Sequence, residues 1–363
     1  EIKFYTGAFP ANRGGALSSV MDITLKDGNP DKQAFKATIG ASEAGFSASG
    51  HIGSRTTYVA SIRQSYLQLL FKVLGLPMLP NYIDGQFKIK SQLNDRNEIT
   101  AIALAGIDNM KLNMEPKDDA DEYLLSYLPE LKQETFTTGI SWKHFSDIHT
   151  RTLSLGYSYL NNRSIKYNDN DESSEENLRL RSSGMEGKAT IRWENRSYYE
   201  SWTLREGIEV NWRHYDSNIY RKIPSGIPIS YSSDIGFLSG AVYFSAEYRS
   251  PGDRFTASTG VRADAASYSD ETAEIWKQLS PRVSVSYRFG ESWSVNASAG
   301  LYNQLPPLTA LSFRNAEGKL ANRELEYMRA ISGAIGADWR LRDRLMISLE
   351  GFYKHFLDIP VSE

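Results

Sequence analysis

The chain of 363 residues contains no cysteine. Disulfides, Cys-ligated metals and thiol catalysis are therefore excluded. It also lacks any run of eighteen apolar residues, so no stretch can cross a bilayer as a helix. Mean hydropathy is low, at -0.45. An excess of one charge sign is missing too. The formal net charge is -3, which points neither to a nucleic-acid surface nor to an acidic tail. No Gly-x-Ser-x-Gly elbow and no His-Glu-x-x-His pair occurs, so the expectation is no enzyme and no cofactor. The start has neither a basic n-region nor an apolar h-region. It opens mid-motif on EIKFYTG, which leads us to expect a chain processed, or cut from something longer.

Aromatic residues, in contrast, are plentiful, with 21 Tyr, 15 Phe and 7 Trp, or 12% in all. Many aromatics at low mean hydropathy fit a transmembrane β-barrel, in which only alternate residues meet lipid. The residue pattern has period two. Val283, Val285, Tyr287 and Phe289 fall on one face, and Arg282, Ser284, Ser286 and Arg288 on the other. Trp293, Val295, Ala297, Ala299 and Leu301 alternate with Ser294, Asn296, Ser298 and Tyr302. Met185, Ala189, Ile191 and Trp193 alternate with Glu186, Lys188, Arg192 and Glu194. Such alternation marks a strand with one apolar face.

A soluble antiparallel sandwich with one wet face alternates in the same way. Three features favour the barrel. The polar face is heavily charged, while Trp and Tyr recur at the ends of the apolar face, as in an aromatic girdle. Many strands reach ten residues or more, beyond the five or six usual in soluble sheets. Tight turns also take turns with long connections. The turns fall at Asn94–Asn97, near Asp147, and at Asn195–Glu200, Ser250–Asp253, Gly290–Ser292 and Arg342–Arg344. The long connections run over Ser65–Asn81, Lys111–Lys132, Ile165–Asn177, Tyr220–Ser232, Ser267–Trp276 and Leu305–Tyr327. Short periplasmic turns and long extracellular loops are the outer-membrane pattern. About fifteen strands follow Lys32, an odd number that leaves an unpaired edge, which lipid does not tolerate. The expectation is a barrel that this chain leaves incomplete. Tyr66–Gly75 breaks the pattern and reads as a short amphipathic helix, with Leu67, Leu70, Phe71 and Leu74 on one side.

The stretch Gly7–Asn29 differs from the strand series. Gly14 and Gly15 suit a turn or a close backbone approach. Val20, Ile23 and Leu25 can join a small sheet, and Asp27-Gly28-Asn29-Pro30 is turn chemistry. Phe9–Gly28 (FPANRGGALSSVMDITLKDG) resembles the end of the plug domain of TonB-dependent outer-membrane receptors, where a Gly-Gly turn and a strand precede the barrel. Where an aromatic usually precedes Gly-Gly, this chain has Asn12-Arg13. Asn303–Ser312 and Leu325–Leu341 resemble barrel segments of the Bacteroidetes-type branch that carries a carboxypeptidase-regulatory-like extension. The resemblance implies residues 1–32 as plug end and linker, with Arg13, Gly14, Gly15 and Lys26 at the plug–barrel joint. It implies residues 33–363 as part of a 22-stranded barrel, a size whose lumen is plugged. It further implies a bacterial outer-membrane location, with lipid, the TonB energy-transducing complex and a nutrient ligand (siderophore, haem, peptide or glycan) as partners. A surface lipoprotein is a further partner it suggests, and nucleic acid is not one. A passive porin and a surface adhesin or enzyme barrel remain as alternatives.

By parity and height, Arg213, Tyr215, Tyr268, Tyr302 and Gln304 point inward near the outer rim. There they could stack on a ligand or pair with it, or pack on plug and loops. Asp169, Asp171 and Glu175 in the acidic run 168–176 offer oxygen ligands to Ca²⁺, although a solvated loop is the plainer reading and no metal site is assigned. His144 and His149 flank a tight turn. Glu206 breaks parity, sharing the apolar face with Leu204, Ile208, Val210 and Trp212, which demands an interfacial height or a bulge.

Overall fold

The structure, a computed structural model, describes residues 1–5, 7–115, 117–222, 228–341 and 345–360. Two short strands, β1 (Ile2–Tyr5) and β2 (Val20–Ile23), form an antiparallel pair of their own. All later strands join one fifteen-stranded antiparallel sheet in which each pairs only with its chain neighbours. They are β3 (Ala34–Ile39), β4 (Glu43–Ile52) and β5 (Thr56–Ser65), then the helix α1 (Leu67–Leu74), then β6 (Met78–Asn94) and β7 (Asn97–Leu112). A second helix, α2 (Asp119–Tyr127), leads to β8 (Glu130–Phe145), β9 (His149–Tyr167), β10 (Leu178–Tyr198) and β11 (Trp202–Arg221). The series continues with β12 (Ile229–Arg249), β13 (Phe255–Ala266), β14 (Leu279–Phe289), β15 (Trp293–Gln304), β16 (Met328–Leu341) and β17 (Leu345–Leu357). Among the described residues, β3 and β17 are the two edges and do not pair with each other.

The sheet is inside-out relative to a soluble protein. The side chains of Val283, Val285, Tyr287 and Phe289 are all exposed, as are Ile191, Ile208, Val210 and Trp212. The buried set includes Lys88, Asn211, Arg262, Asp264 and Arg282. Aromatic rings crowd the short-turn rim: Trp202 lies 5.0 Å from Tyr248, Tyr287 lies 4.6 Å from Phe289, and Trp293 lies 6.0 Å from Trp339. Farther up β11, Trp212 stacks on His214 at 5.5 Å. From Trp202 to Trp212 is about 33 Å of strand, or roughly 24 Å along the membrane normal at the usual tilt, close to the ~25 Å apolar band of such barrels. Glu206 sits on this outer face near the Trp202 girdle and accepts a hydrogen bond from Asn195 Nδ2 at 3.2 Å. The pairing of β10 with β11 is unbroken there, so height rather than a bulge accommodates the carboxylate.

The strands overrun their expected ends on the long-loop side. β12 starts at Ile229 and β11 reaches Arg221, inside the loop expected at Tyr220–Ser232. Past the membrane the hydrogen-bond ladder continues although the apolar signal has ended. The turn expected at Asn195–Glu200 is shorter, with β10 reaching Tyr198 and β11 starting at Trp202. The alternation of short and long connections also has an exception. β3 and β4 are joined on the long-loop side by three residues, 40–42. The turn expected at Arg342–Arg344 lies outside the described residues. The helix expected at Tyr66–Gly75 forms as α1, stopped by Gly75 in the left-handed region at φ 63°. α2, capped by the Asp118 side chain on the Asp121 N–H, had no clear sequence signal.

A cation placed in mid-belt should expose this geometry. Val210→Arg, facing lipid on β11, is expected to cost about 2–4 kcal/mol of folding stability. Asn218→Arg, on the same face above the belt, should cost about 0–1 kcal/mol. Urea titration of the protein in lipid vesicles measures both, and equal costs would refute the assigned lipid belt.

Candidate functional site

The segment ahead of β3 runs along the polar face of the sheet. Lys88 on β6 donates to Leu25 O at 2.7 Å and pairs with Asp27 at 2.6 Å. Arg192 on β10 donates to Asn12 O at 3.1 Å. Ser332 on β16 reaches Gly7 O, and Lys354 on β17 reaches Ser18 O at 3.0 Å. One short segment touches inner-face residues from β6 to β17, which a flat sheet forbids. The sheet therefore curls around it as a barrel wall.

Arg282 on β14 makes the densest contact. Its Nη1 donates to Phe9 O at 3.0 Å, Pro10 O at 2.7 Å and Arg13 O at 2.7 Å. Nη1 carries two hydrogens, so one is shared between two carbonyls. The guanidinium lies 4.7 Å from both the Phe9 and the Tyr302 ring centroids, and the two rings are 4.4 Å apart. A cation set against two mutually contacting aromatic rings gains cation–π attraction, strongest when desolvated, and here Arg282, Phe9 and Tyr302 are all buried.

A second node centres on Glu194. It pairs with Arg192 at 2.7 Å, accepts from the Tyr243 hydroxyl at 2.9 Å and accepts from Asn12 Nδ2 at 3.2 Å. Arg262 clasps Asp264 through Nε and Nη2, both at 3.0 Å. The Gly14 backbone lies directly against that guanidinium, close enough that a Cβ would stand 2.2 Å from Nε. Gly15 takes φ +67°, a region open to glycine at little cost.

The joint residues thus occupy different settings. Gly14 abuts Arg262. Arg13 pairs with Asp22 within its own segment while offering its carbonyl to Arg282. Lys26 is exposed. Beside it, Asp27 is held by Lys88 and Lys90. Burial works to raise its carboxyl, but the hydrogen bonds from the two lysines outweigh it and hold the pKa below the ordinary 3.8.

The rim candidates divide in two. Arg213, Tyr215 and Gln304 line one cavity of about 280 Å³ together with Gly15, Glu186 and Pro307. Arg213 Nε is oriented by Ser239 Oγ at 3.0 Å. Tyr268 and Tyr302 do not line this cavity, although Tyr268 shares a buried cluster with Tyr215. Tyr302 packs under Phe9. Tyr268 donates to Leu311 O at 2.7 Å and belongs to a buried cluster with Phe237, Leu305, Leu308 and Tyr327. The connection from β13 to β14 carries the helical turn α3 (Asp270–Ala273), and the cluster folds the 305–327 connection, with its own turn α4 (Leu308–Leu311), against the inner wall. Burial pushes the Tyr268 and Tyr327 phenols above the ordinary tyrosine range.

Sequence reasoning did not single out Arg282, Arg192, Glu194 or Lys88. Their signal was present as charges of both signs at inward parity and mid-wall depth, where a group with no partner is costly. The acidic run does not converge. Asp169 accepts from Asn168, Asp171 accepts from Ser173 and Asn177, and Glu175 pairs with Arg181. His144 contacts Asn97 and His149 contacts Ser197, so the two bind separate partners.

A family model described as TonB dependent receptor-like, beta-barrel, matches residues 81–362. The ferric enterobactin receptor from Pseudomonas aeruginosa superposes with a TM-score of 0.70 at 14% identity, over 98% of this chain and 57% of that one. The ferripyoverdine receptor of the outer membrane of Pseudomonas aeruginosa, bound to ferripyoverdine, gives 0.71 at 13% identity over 98% and 52%. The copper transporter OprC gives 0.71 at 12% identity over 97% and 58%. The chain thus spans little more than half the length of these structures, and identities this low carry the fold alone. No curated protein matches the sequence.

Two outcomes test the seam. Arg282→Met should free the Phe9–Arg13 turn by about 2–3 kcal/mol, given ~1.5–3 kcal/mol per charged hydrogen bond and partial rehydration of the carbonyls. Hydrogen exchange at residues 11–14 should then speed up roughly 30- to 150-fold, and unchanged protection would refute the assignment. The Asp27 tether is pH-dependent. Because its folded-state pKa is depressed, its contribution is complete above the ordinary aspartate range and disappears as pH falls through the depressed value. A spin label on Lys26→Cys should become more mobile over that acid window. Asp27→Asn should show high mobility at every pH, and a label indifferent to both changes would count against the tether.

Proposed function

The chain belongs to the TonB-dependent receptor-like β-barrel family, and on that premise we propose that it is the plug end and part of the barrel of an importer. Its location is the bacterial outer membrane, with the apolar outer face in lipid. In this reading a scarce nutrient (siderophore, haem, peptide or glycan) binds from outside. The TonB complex then supplies the energy that moves the plug, and the nutrient enters the periplasm. No catalytic step is assigned.

The observation that carries the proposal is the seam between residues 7–27 and the inner wall. It is made mainly of cations on backbone carbonyls and charged pairs, beside one small apolar cluster in which Phe9, Leu17, Ala16 and Val20 meet Tyr302, Met328 and Ala330. Water can replace such contacts one at a time when the segment is pulled, since each is worth only about 0.5–3 kcal/mol net. A greasy interface would resist all at once. We assign residues 1–32 to the plug end and linker and residues 33–363 to the wall. The free edges at β3 and β17 support further strands between them, completing a barrel of about 22 strands whose lumen needs a plug. The likeness of 303–312 and 325–341 to the Bacteroidetes-type branch supports that branch, and with it a surface lipoprotein over the mouth. Ligand contact is assigned to Arg213, Tyr215 and Gln304 around the cavity beside Gly15. Tyr268 and Tyr302 support the loop and the segment instead.

A passive porin would need an open lumen, which the lumenal segment obstructs. In planar bilayers the full-length protein should show no steady open-channel conductance. In cells, uptake of the nutrient should cease without TonB. Arg213→Ala should raise the half-saturating concentration roughly tenfold, the equivalent of one lost polar contact of about 1.4 kcal/mol. Steady conductance of the unmodified protein, or uptake indifferent to TonB, would overturn the proposal.

A further inference from the structure

The tips of β9, β10 and β11 carry a second polar feature, above the rim cavity and separate from the lumenal seam. Lys166 on β9, Leu180 on β10 and Arg221 on β11 lie in one cross-strand row. Arg221 has the same parity on β11 as Arg213 and Tyr215, so the row faces the lumen. The pairing of β9 with β10 shifts between Leu178 and Leu180, which leaves Arg179 as the extra residue of a bulge. Bulges re-aim side chains, and Arg179 turns into the same space as Lys166. Lys222 follows directly after the row. The four cations, with Tyr127 from α2, line a cavity of about 450 Å³ that, among the described residues, no carboxylate side chain lines.

What these cations touch is telling. The buried Lys166 Nζ donates to Leu125 O and to Asn170 Oδ1, so it braces the end of α2. Arg179 donates to Asn168 Oδ1, and Lys222 donates to the backbone oxygen of Glu176. Every one of these acceptors is a neutral oxygen. The nearby acids are turned to other partners. Glu175 pairs with Arg181 on the outer face at 2.8 Å, Asp171 accepts from Asn177 at 2.9 Å, and Asp169 accepts from Asn168. Lower on this wall some inward cations meet carboxylates, as Arg192 meets Glu194 and Arg262 meets Asp264, while Arg282 and Arg213 also donate to neutral oxygens, singly rather than as a cluster. Asp169 and Glu130 lie within electrostatic range of Lys166 without bonding to it; cations gathered with no directly paired carboxylate repel each other, and an arriving anion relieves that repulsion.

We propose that this cavity is a binding site for a small polyanion bearing two or more phosphate or carboxylate groups, held chiefly by Arg179, Arg221 and Lys222. Arginine presents a planar fork that fits either group in a two-pronged way. Lys166 is the positioning residue that keeps α2 over the cavity. Because the row faces the lumen, the headgroups of the surrounding outer leaflet do not reach it. The next inward cations below the row, Lys188 and Arg213, lie opposite each other lower on the wall.

Isothermal titration of the detergent-solubilised full-length protein with sodium tripolyphosphate, and separately with citrate, tests this. Saturable binding is expected at 20 mM salt and should weaken at least tenfold at 200 mM, because binding displaces screening ions. Arg179→Gln combined with Arg221→Gln should weaken binding at least tenfold. The matched pair Arg163→Gln and Arg181→Gln, on the outer face of the same strands, should leave it unchanged. Circular dichroism confirms the fold of each variant, since all four side chains lie at the surface. Absence of saturable binding at low salt, or equal loss in both pairs, would overturn the proposal. The titration contains neither TonB nor transport, so its failure leaves the import reading standing, and failure of import leaves this site standing.

Discussion

A backbone surrounded by hydrocarbon has nowhere to place its N–H and C=O groups except on another strand. This constraint shapes the whole chain. It explains why fifteen strands pair strictly in sequence, with each ladder running unbroken through the belt. It also explains the two faces. One must be apolar to meet lipid, and the other is then free to be as polar as the lumen allows. Exposed Val, Ile and Trp outside and buried Arg, Asp and Lys inside are two results of one requirement.

The inner wall puts that freedom to use. An inward arginine at mid-depth would be costly alone. Arg262 answers this with Asp264, and Arg192 with Glu194. Arg282 answers it with three carbonyls and two aromatic rings. Binding main-chain oxygens makes the attachment nearly independent of which side chains the segment carries. It depends instead on the path of residues 9–13, which Pro10 and the Gly14–Gly15 turn define. Beside the small apolar cluster of Phe9 and Leu17 with Tyr302, Met328 and Ala330, the wall and its lumenal segment are therefore joined mostly by polar contacts that water can also make. That is the physical basis for reading the segment as movable rather than as part of a core.

The cations of the upper wall belong to the same scheme but lack its compensation. Lys166, Arg179 and Lys222 donate to neutral oxygens, and Arg221 lines the same cavity. Below them the rim cavity combines Arg213 and Glu186, so charge of both signs is present there. The inner wall thus changes from clustered cations on neutral oxygens at the mouth to a mixture of charged pairs and a carbonyl-bound arginine around the seam.

Much of this was legible in the residue order. Lipid imposes period two, so the strand series, the outward faces and the rim of tight turns follow from Arg282–Phe289, Trp293–Leu301 and their like. Strand ends on the loop side were not legible. The ladder of β11 and β12 continues above the belt, where no apolar requirement marks it. An inward parity could be assigned to Arg213, Tyr215, Tyr302 and Gln304 from the residue order alone, because parity and height are properties of a single strand, whereas Tyr268 lies past the end of β13. What each inward residue meets was decided only by the tertiary structure. Tyr302 lies under Phe9 and Tyr268 under Leu311 because segments distant in sequence fold back over them. Arg282 became the holding point of the N-terminal segment for the same reason. Its partners are backbone carbonyls, which look alike in every sequence and differ only in where the fold puts them.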